Sequence, residues 1–255
     1  MLKRILCAAL ASGALVLSGS VAAQELKIAL IAGKTGPLEA YAKDTEKGFM
    51  LGLEYLTNGT MTLNGRKIRV IVKDDQLKPD LGKAMLAEAY ADDKVDIAVG
   101  TTSSGVALAM LPVAEEYKKV LIVEPAVADA ITGDKWNRYI FRTGRNSAQD
   151  GLASAATLKS GGSVAYLAQD YAFGRDGVKA GKEALAAVGS KAKVVHEEYA
   201  PQTTTDFTAP AQRLFEAVAV VHAGQRIACG QLGQPRVEAQ EQEPQHHHRH
   251  HQGGD

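Results

Sequence analysis

Cysteine is nearly absent from the sequence, and this scarcity limits the ways in which the protein can be stabilised. The 255 residues include two cysteines, Cys7 and Cys229, which lie near opposite ends of the chain. The stretch from Gln24 to Glu216 therefore can form no disulfide, cysteine-ligated zinc site or cysteine nucleophile. A hydrophobic core must hold this stretch together, and roughly 190 residues can bury one.

An excess of charge of either sign is also missing. Lysine and arginine number 29 and aspartate and glutamate number 29, so the formal net charge is zero. A nucleic-acid surface or a polybasic membrane patch needs clustered positive charge, and this balance argues against both. Aromatic residues make up only 5% of the chain. Such a composition favours helices packed closely on a sheet over an aromatic-rich β-sandwich.

Three motifs that would indicate an enzyme are incomplete or missing. The tripeptide Gly-Lys-Thr at 33–35 would belong to a phosphate loop only if a glycine replaced Ile28. No G-x-S-x-G nucleophile elbow accompanies His196, which we therefore expect on the surface or at a sheet edge. Asp74 and Asp75 have no third carboxylate or histidine at a metal-binding spacing, so we expect them to cap the next helix or to make an ionic contact with it. The chain is therefore predicted to be no enzyme and to have no catalytic residues, no metal site and no cofactor.

The first 23 residues have the composition of an export signal. Two basic residues precede an apolar stretch at 5–19, and the small residues at 21–23 suit a signal peptidase. We therefore expect cleavage near Ala23, a mature chain that starts at Gln24, and release into the periplasm. A membrane anchor is the alternative interpretation, although the apolar stretch is short for one.

Apolar runs alternate with segments of helical spacing through most of the chain. This alternation predicts βαβ units, a parallel sheet and right-handed crossovers. Because ligands bind at the carboxyl ends of strands in such sheets, functional residues are expected in the loops that follow the strands. The predicted strands are 26–32, 67–72, 95–99, 120–123, 139–142, 163–168 and 193–199, and the predicted helices are 38–57, 79–91, 106–117, 148–159, 175–188 and one that begins near Asp206.

The composition changes sharply at Glu216. From this residue onward the chain has no lysine and no Phe, Tyr or Trp, and it ends in a histidine-rich stretch at 246–251. Such a segment buries too little apolar surface to offset the entropy cost of ordering it. We interpret it as a disordered or frameshifted tail, with a metal-sensing tail and a purification-like appendage as alternatives. The expected segments are a signal peptide at 1–23, a first lobe at 24–144, a partial second lobe at 145–216 and the tail at 217–255.

The stretch GTTSSG at 100–105 joins a predicted strand to a predicted helix. Four consecutive residues in it, Thr101 to Ser104, carry hydroxyl groups. Hydroxyls and backbone N–H groups that meet at a helix N-terminus favour an anion such as a ligand carboxylate. Helix capping alone is the other interpretation, although capping requires only one such side chain.

Several segments together resemble the type I periplasmic binding proteins of the leucine/isoleucine/valine-binding family, which serve ABC importers. The resemblance runs from about residue 25 to residue 216. It rests on the opening strand and turn at 26–37, Tyr41, the Gly48-containing helix, IVKDDQ at 71–76, the loop at 100–107, PVAE at 112–115, YIFR at 139–142, YAFGR at 171–175 and Asp206-Phe207.

This resemblance implies an α/β fold of two Rossmann-like parallel-sheet lobes, the second one incomplete, that close on a small ligand. Ala128 stands where amino-acid-binding members carry threonine, and Phe173 stands where some members carry tyrosine. An apolar pocket of this kind leaves both an amino acid and an aromatic or aliphatic acid open as ligands. The implied ligand-binding residues are Thr102, Ser103 and Ser104 for the carboxylate, and Tyr41, Ala126, Ala128 and Phe173 elsewhere in the cleft.

The predicted function is the periplasmic substrate-binding component of an ABC importer. It would capture an amino acid, an amide or a related small carboxylate and deliver it to a permease in the inner membrane. No nucleic-acid partner is expected. An exported α/β enzyme and a non-functional truncated gene product are the alternatives, the latter because members of the family are longer than this chain.

Overall fold

A computed structural model describes residues 24–158 and 160–228. The predicted signal peptide, Cys229 and the histidine-rich stretch lie outside the described residues. None of the described helices combines the length and the apolar character that a membrane crossing requires.

The first lobe is built on a sheet of six strands in the order β2-β3-β1-β4-β5-β6. Strand β2 pairs with β3 in antiparallel fashion, and every other neighbouring pair is parallel. The strands are β1 Leu26–Ala32, β2 Thr62–Leu63, β3 Arg66–Asp74, β4 Ile97–Gly100, β5 Val120–Val123 and β6 Ile140–Arg142.

Three helices cover this sheet from both sides, namely α1 Glu39–Leu56, α2 Pro79–Ala91 and α3 Ser104–Tyr117. Successive residues of a strand point to opposite faces, so β1 contributes to two separate clusters. Ala29 and Ile31 pack with residues of α2 and α3, whereas Ile28 and Leu30 pack with Leu53 of α1. Burial on both faces explains why β1 is a continuous apolar run from Ile28 to Ala32.

The second lobe follows β6 and is smaller. Within the described residues it has two strands, which pair in parallel as a separate sheet, and a buried cluster of Ala155, Ala184 and Leu185. The lobe is therefore incomplete as an α/β unit. Its elements are α4 Ser147–Ala156, β7 Gly162–Gln169, α5 Ala172–Ala187, β8 Ala192–Ala200 and α6 Thr208–Ala228.

The connection between the lobes is fixed by a capping box. The Asn146 side chain accepts a hydrogen bond from the Gln149 N–H, and the Gln149 side chain accepts one from the Asn146 N–H. This reciprocal pair satisfies two backbone donors at the start of α4. The Ser147 N–H also donates to the Val127 carbonyl of the first lobe at 2.9 Å. The start of the second lobe is thus tied to the first.

The predicted βαβ alternation, the parallel sheet and the incomplete second lobe are confirmed. The helix predicted at 79–91 and the strand predicted at 120–123 have the same bounds as the observed α2 and β5. The short strand β2 and a 3₁₀ turn at Asp129–Ile131 were not predicted. Helix α6 continues past Glu216 to Ala228, so the compositional boundary lies within a helix.

Candidate functional site

A cavity of about 270 Å³ opens between the two lobes. The carboxyl ends of β4, β5 and β7 meet at this cavity, which is where open parallel sheets bind ligands. Its wall is formed by Leu38, Tyr41, Thr102, Ser104, Pro125, Ala126 and Val127 of the first lobe, by Arg145 in the connection, and by Gln169, Tyr171 and Phe173 of the second lobe.

A larger cavity of about 350 Å³ lies on the first lobe alone, between α1 and the sheet. Thr45 and Phe49 of α1 face Val99 and Ile122 of the sheet there. We place the candidate site in the interlobe cavity because three strand ends and both lobes meet at that point, whereas the larger cavity has no wall from the described second-lobe residues.

Two hydroxyl groups in the interlobe cavity are set up as hydrogen-bond donors. The Gly33 N–H donates to Oγ1 of Thr102 at 3.2 Å, and the Ala128 N–H donates to Oγ of Ser104 at 3.2 Å. A hydroxyl that accepts one hydrogen bond still has its own hydrogen to donate. Among the described residues neither hydroxyl hydrogen has an acceptor, so both can be donated to a ligand oxygen.

The start of α3 favours a negatively charged ligand group near these hydroxyls. The helix begins at Ser104, and its amino end carries a partial positive charge. Ser103 occupies the N-cap position, but its side chain makes no capping hydrogen bond. Capping alone therefore does not account for the run of hydroxyl side chains in this loop.

Five of the seven predicted ligand-binding residues line the cavity, and two do not. Ser103 is buried between two lining residues without being part of the wall. Ala128 is buried as well, and its N–H serves to orient Ser104. The five that line the cavity are Tyr41, Thr102, Ser104, Ala126 and Phe173.

The acidic pair at the end of β3 organises the loops behind the site. Asp75 is fully buried and accepts hydrogen bonds from the Thr101 hydroxyl and from the Leu77 N–H at 2.8 Å. Burial raises the pKa of Asp75, and these two hydrogen bonds oppose the rise. The pair was expected to cap the next helix or to make an ionic contact with it, yet no side chain caps α2. Asp75 instead ties the end of β3 to the loop after β4.

Asp74, by contrast, accepts three hydrogen bonds near the surface. They come from the Lys34 N–H at 2.8 Å, the Gln76 N–H at 2.9 Å and the Thr35 hydroxyl at 2.5 Å. Burial acts to raise the pKa of Asp74, but the hydrogen bonds outweigh it and hold the pKa below its ordinary value. This carboxylate therefore secures the turn after β1, next to the buried carboxylate that secures the loop after β4.

The second-lobe wall of the cavity is largely aromatic. The ring centroids of Tyr171 and Phe173 are 5.9 Å apart, within the range of favourable aromatic pairs. Burial, with a smaller contribution from Tyr41, raises the pKa of Tyr171 to about 12. Its hydroxyl is therefore protonated at neutral pH. This wall can cover an apolar group while offering one neutral hydroxyl.

Arg145 is the only charged residue among the described residues that line the cavity. Its Nε lies 2.8 and 2.9 Å from the two carboxylate oxygens of Asp150, and its side chain is 60% exposed. The sequence prediction did not include Arg145. It also missed Leu38, Pro125, Val127, Gln169 and Tyr171, of which 125–127 and 169–171 follow predicted strands and could have been found from that position.

His196 lies apart from the cavity. It is half-buried on β8, which pairs only with β7 among the described strands, and its Nε2 lies 3.3 Å from Glu198. This edge position agrees with the expectation for His196. Among the described residues, no group of three His, Cys, Asp or Glu side chains is placed to hold a metal ion.

The fold and the cavity define a two-lobed α/β protein with a ligand-sized cleft at its strand ends. The sequence profile of a family described as "Periplasmic binding protein" matches residues 25–224. The chain belongs to the periplasmic binding protein family.

Individual relatives agree with this assignment. The Leu/Ile/Val-binding protein BraC3 of Rhizobium johnstonii is 28% identical over 203 residues, which are 78% of this chain and 54% of that protein. The solved structure of an ABC-type branched-chain amino acid transporter from Rhodopseudomonas palustris CGA009 has 71% sequence identity and a TM-score of 0.60, over 76% of this chain and 52% of that one.

A third similar protein was solved with a ligand. It is a solute binding protein of an ABC transporter from Rhodopseudomonas palustris BisB5 in complex with 3,4-dihydroxy benzoic acid. It has 32% identity and a TM-score of 0.65, over 76% of this chain and 52% of that one. The chain thus spans about half the length of the relatives that it matches.

Proposed function

We propose that this chain is the solute-binding component of an ABC importer and captures a small carboxylate-bearing ligand between its lobes. The observation that carries the proposal is that the free hydroxyl donors of Thr102 and Ser104 face the aromatic pair Tyr171 and Phe173 in one cavity. One lobe supplies donors for a carboxylate, and the other supplies a wall for an apolar group. The chain would bind its ligand without any chemical change.

The cavity volume and the relatives support two ligand classes. A cavity of about 270 Å³ suits one small molecule rather than a peptide or a sugar chain. One relative is named for leucine, isoleucine and valine, and another was solved with 3,4-dihydroxy benzoic acid. Both classes share a carboxylate and an apolar body, which are the two features that this cavity can recognise.

Binding would hold the two lobes together across the cleft. The Asp129 N–H of the first lobe donates to the Asp176 carboxylate of the second lobe at 2.8 Å. The Asp129 carboxylate in turn accepts from the Ala148 N–H at the start of α4, at 3.0 Å. These contacts support a closed arrangement in which the ligand is enclosed. The connection at 143–146 is the proposed lobe boundary.

The proposal includes the cellular role. Residues 1–23 would direct export and be removed near Ala23, so that the binding protein acts in the periplasm. It would then deliver its ligand to a permease in the inner membrane. Membership of the periplasmic binding protein family supports this location.

Ligand titration into the 255-residue chain tests the proposal. A specific carboxylic acid at about 100 times its Kd should raise the free energy of unfolding by roughly 2.7 kcal/mol. Ser104→Ala should weaken binding about tenfold, because a hydrogen bond to a charged group is lost. Ser103→Ala is the matched control, since Ser103 is equally buried but does not line the cavity, and it should leave the Kd unchanged. The proposal is wrong if no small acid stabilises the chain, or if both variants lose affinity equally.

A further inference from the structure

We propose that Asp176 of the second lobe is a positioning residue, which orients the Ser104 hydroxyl of the first lobe through the peptide group between Ala128 and Asp129. This inference rests on the proposed function. It adds a residue that does not line the cavity, and it links the contact between the lobes to the orientation of a ligand donor.

The peptide group between Ala128 and Asp129 is held at both of its polar atoms. Its carbonyl, which belongs to Ala128, accepts a hydrogen bond from Nη1 of Arg142 at 2.8 Å. Its N–H, which belongs to Asp129, donates to the Asp176 carboxylate at 2.8 Å. Hydrogen bonds to charged groups are roughly twice as strong as neutral ones. The positive partner lies at the carbonyl and the negative partner at the N–H, so both charges favour the same orientation of this peptide group.

The two charged partners come from different lobes. Arg142 is the last residue of β6 in the first lobe, whereas Asp176 lies on α5 in the second lobe. A separation of the lobes would therefore remove the partner of the N–H and leave the partner of the carbonyl in place.

The position of Asp176 is not explained by its own helix. Helix α5 begins at Ala172, so Asp176 lies beyond the first turn, in which a carboxylate stabilises a helix N-terminus. Among the described residues, the carboxylate of Asp176 has one hydrogen-bond partner, the Asp129 N–H. The side chain therefore serves the first lobe rather than the element that carries it.

The held peptide group adjoins the one that orients Ser104. The Ala128 N–H donates to Oγ of Ser104 at 3.2 Å, and both residues are buried. Because consecutive peptide groups are linked by two soft dihedral angles, a fixed orientation of one restricts the other. The hydrogen bond from the Asp129 N–H to Asp176 therefore also fixes the Ala128 N–H, and Ser104 keeps its own hydrogen directed away from that N–H for a ligand oxygen.

The same part of α5 carries a residue of the aromatic wall. Phe173 lines the cavity three residues before Asp176. The contact that orients the Ser104 hydroxyl thus also holds Phe173 at the cleft. A ligand would meet an oriented donor and an apolar wall together, and the loss of one contact would disturb both.

Amide hydrogen exchange, followed by NMR on the unliganded 255-residue chain, tests the coupling without a ligand. Asp176→Ala should speed the exchange of the Asp129 N–H and of the Ala128 N–H by about tenfold, the loss of one hydrogen bond to a charged group. Asp176→Asn should speed both less, since an amide oxygen still accepts but carries no charge. The Gly33 N–H donates to Thr102 at 3.2 Å, outside this series of contacts, and should keep its exchange rate.

Each other pattern of exchange overturns the inference. If the Asp129 N–H alone exchanges faster, Asp176 joins the lobes without positioning Ser104. If all three amides exchange faster by the same factor, the change has lowered the overall stability, and Asp176 is structural rather than positioning.

Ligand titration tests the consequence for the cleft, with L-leucine and benzoate as the probes. Asp176→Ala should weaken the binding of a probe by about tenfold, as should Ser104→Ala. The double variant should lose little more than either single variant, because both changes act on one donor. If the two losses add fully, Asp176 acts independently of Ser104 and the inference is overturned while the proposed function stands. If neither probe binds the unaltered chain, the result counts against the proposed function, and the exchange rates alone decide the positioning of Ser104.

Glu183→Gln is the matched control for the loss of charge in Asp176→Asn. Burial raises the pKa of Asp129, and the negative charges of Asp176 and Glu183 add to this rise, so both carboxylates act on the same group. The carboxylate of Glu183 lies 3.9 Å from the ammonium group of Lys179 on its own helix. Glu183→Gln should leave the exchange rates and the Kd unchanged. An effect as large as that of Asp176→Asn would show that the negative charge matters and the hydrogen bond does not, which overturns the inference.

Discussion

The two lobes share the βα alternation but differ in how completely it is buried. In the first lobe, Ala29, Leu30 and Ile31 of β1 are fully buried in succession, because helices cover both faces of the six-stranded sheet. In the second lobe, β7 is half-buried along nearly its whole length, and β8 is the one strand that pairs with it among the described residues. The hydroxyl donors of the candidate site therefore stand on a well-packed lobe, and its aromatic wall stands on a weakly packed one.

This difference predicts that changes in the second lobe affect ligand binding more than they affect the overall stability. Local stability follows the number of buried apolar contacts, so the second lobe should open at a lower free energy than the first. Opening of the second lobe removes Gln169, Tyr171 and Phe173 from the cavity but leaves Thr102 and Ser104 in place. Ligand affinity should therefore be sensitive to changes in the second lobe that alter the overall stability only slightly.

The largest expected effect comes from truncating a leucine in each lobe. Leu30→Ala in β1 should lower the free energy of unfolding by about 2–5 kcal/mol, because a fully buried side chain leaves a cavity. Leu167→Ala in β7 should cost only about 1 kcal/mol, since that side chain is half-exposed. Urea denaturation followed by circular dichroism measures both. Equal losses would show that the second lobe is as well packed as the first.

The loop at 101–104 shows how far a local pattern in the sequence predicts the site. The loop at 101–104 was found because hydroxyl side chains directly follow an apolar strand, which is a local signal. That pattern does not fix which way each side chain points, so Ser103 was grouped with Ser104 although only Ser104 faces the cavity. The direction depends on the exact residue at which α3 begins.

Arg145 shows the other limit of the sequence. It lies between a short strand and a capping box, and an exposed arginine before a helix has no distinctive local pattern. Its place in the cavity wall results from the packing of one lobe against the other, which brings it near Tyr171 and Thr102. A single sequence carries no local signal for a contact of this kind.

Two glycines of α5 test how the second-lobe wall is held. A Cβ at Gly174 would lie 2.0 Å from the Gln169 carbonyl oxygen, whereas a Cβ at Gly177 would meet nothing within 4 Å. Gly174→Ala should cost roughly 1–3 kcal/mol through overpacking and should weaken ligand binding, because Gln169 and Phe173 must move. Gly177→Ala should stabilise the chain by about 0.5–1 kcal/mol through helix propensity and leave the Kd unchanged. Thermal unfolding and ligand titration measure the stability and the Kd of both variants. If the two variants changed in the same way, the close approach at Gly174 would be contradicted.

The smallest expected effect separates two neighbouring carboxylates by the sign of their pH dependence. Burial raises the pKa of Asp75, so the protonated form is favoured in the folded chain and stability is lost as the pH rises through that pKa. The Asp75→Asn variant does not show this loss. Its free energy of unfolding, relative to that of the unaltered chain, should therefore increase as the pH rises from about 3.9 towards neutrality.

The Asp74 pKa is lowered, so its stabilising contribution is present above the unfolded-state pKa and is lost as the pH falls. Asp74→Asn should therefore show the opposite trend, becoming less stable relative to the unaltered chain as the pH rises. Urea titrations of both variants between about pH 3 and pH 7 measure how the relative free energy of unfolding changes with pH. This range brackets the ordinary aspartate pKa. Slopes of the same sign would mean that the two side chains share one environment. Opposite slopes would show that the buried Asp75 carboxyl group holds the loop after β4 at a cost in stability. This loop carries Thr101 and leads to the hydroxyl donors of the site.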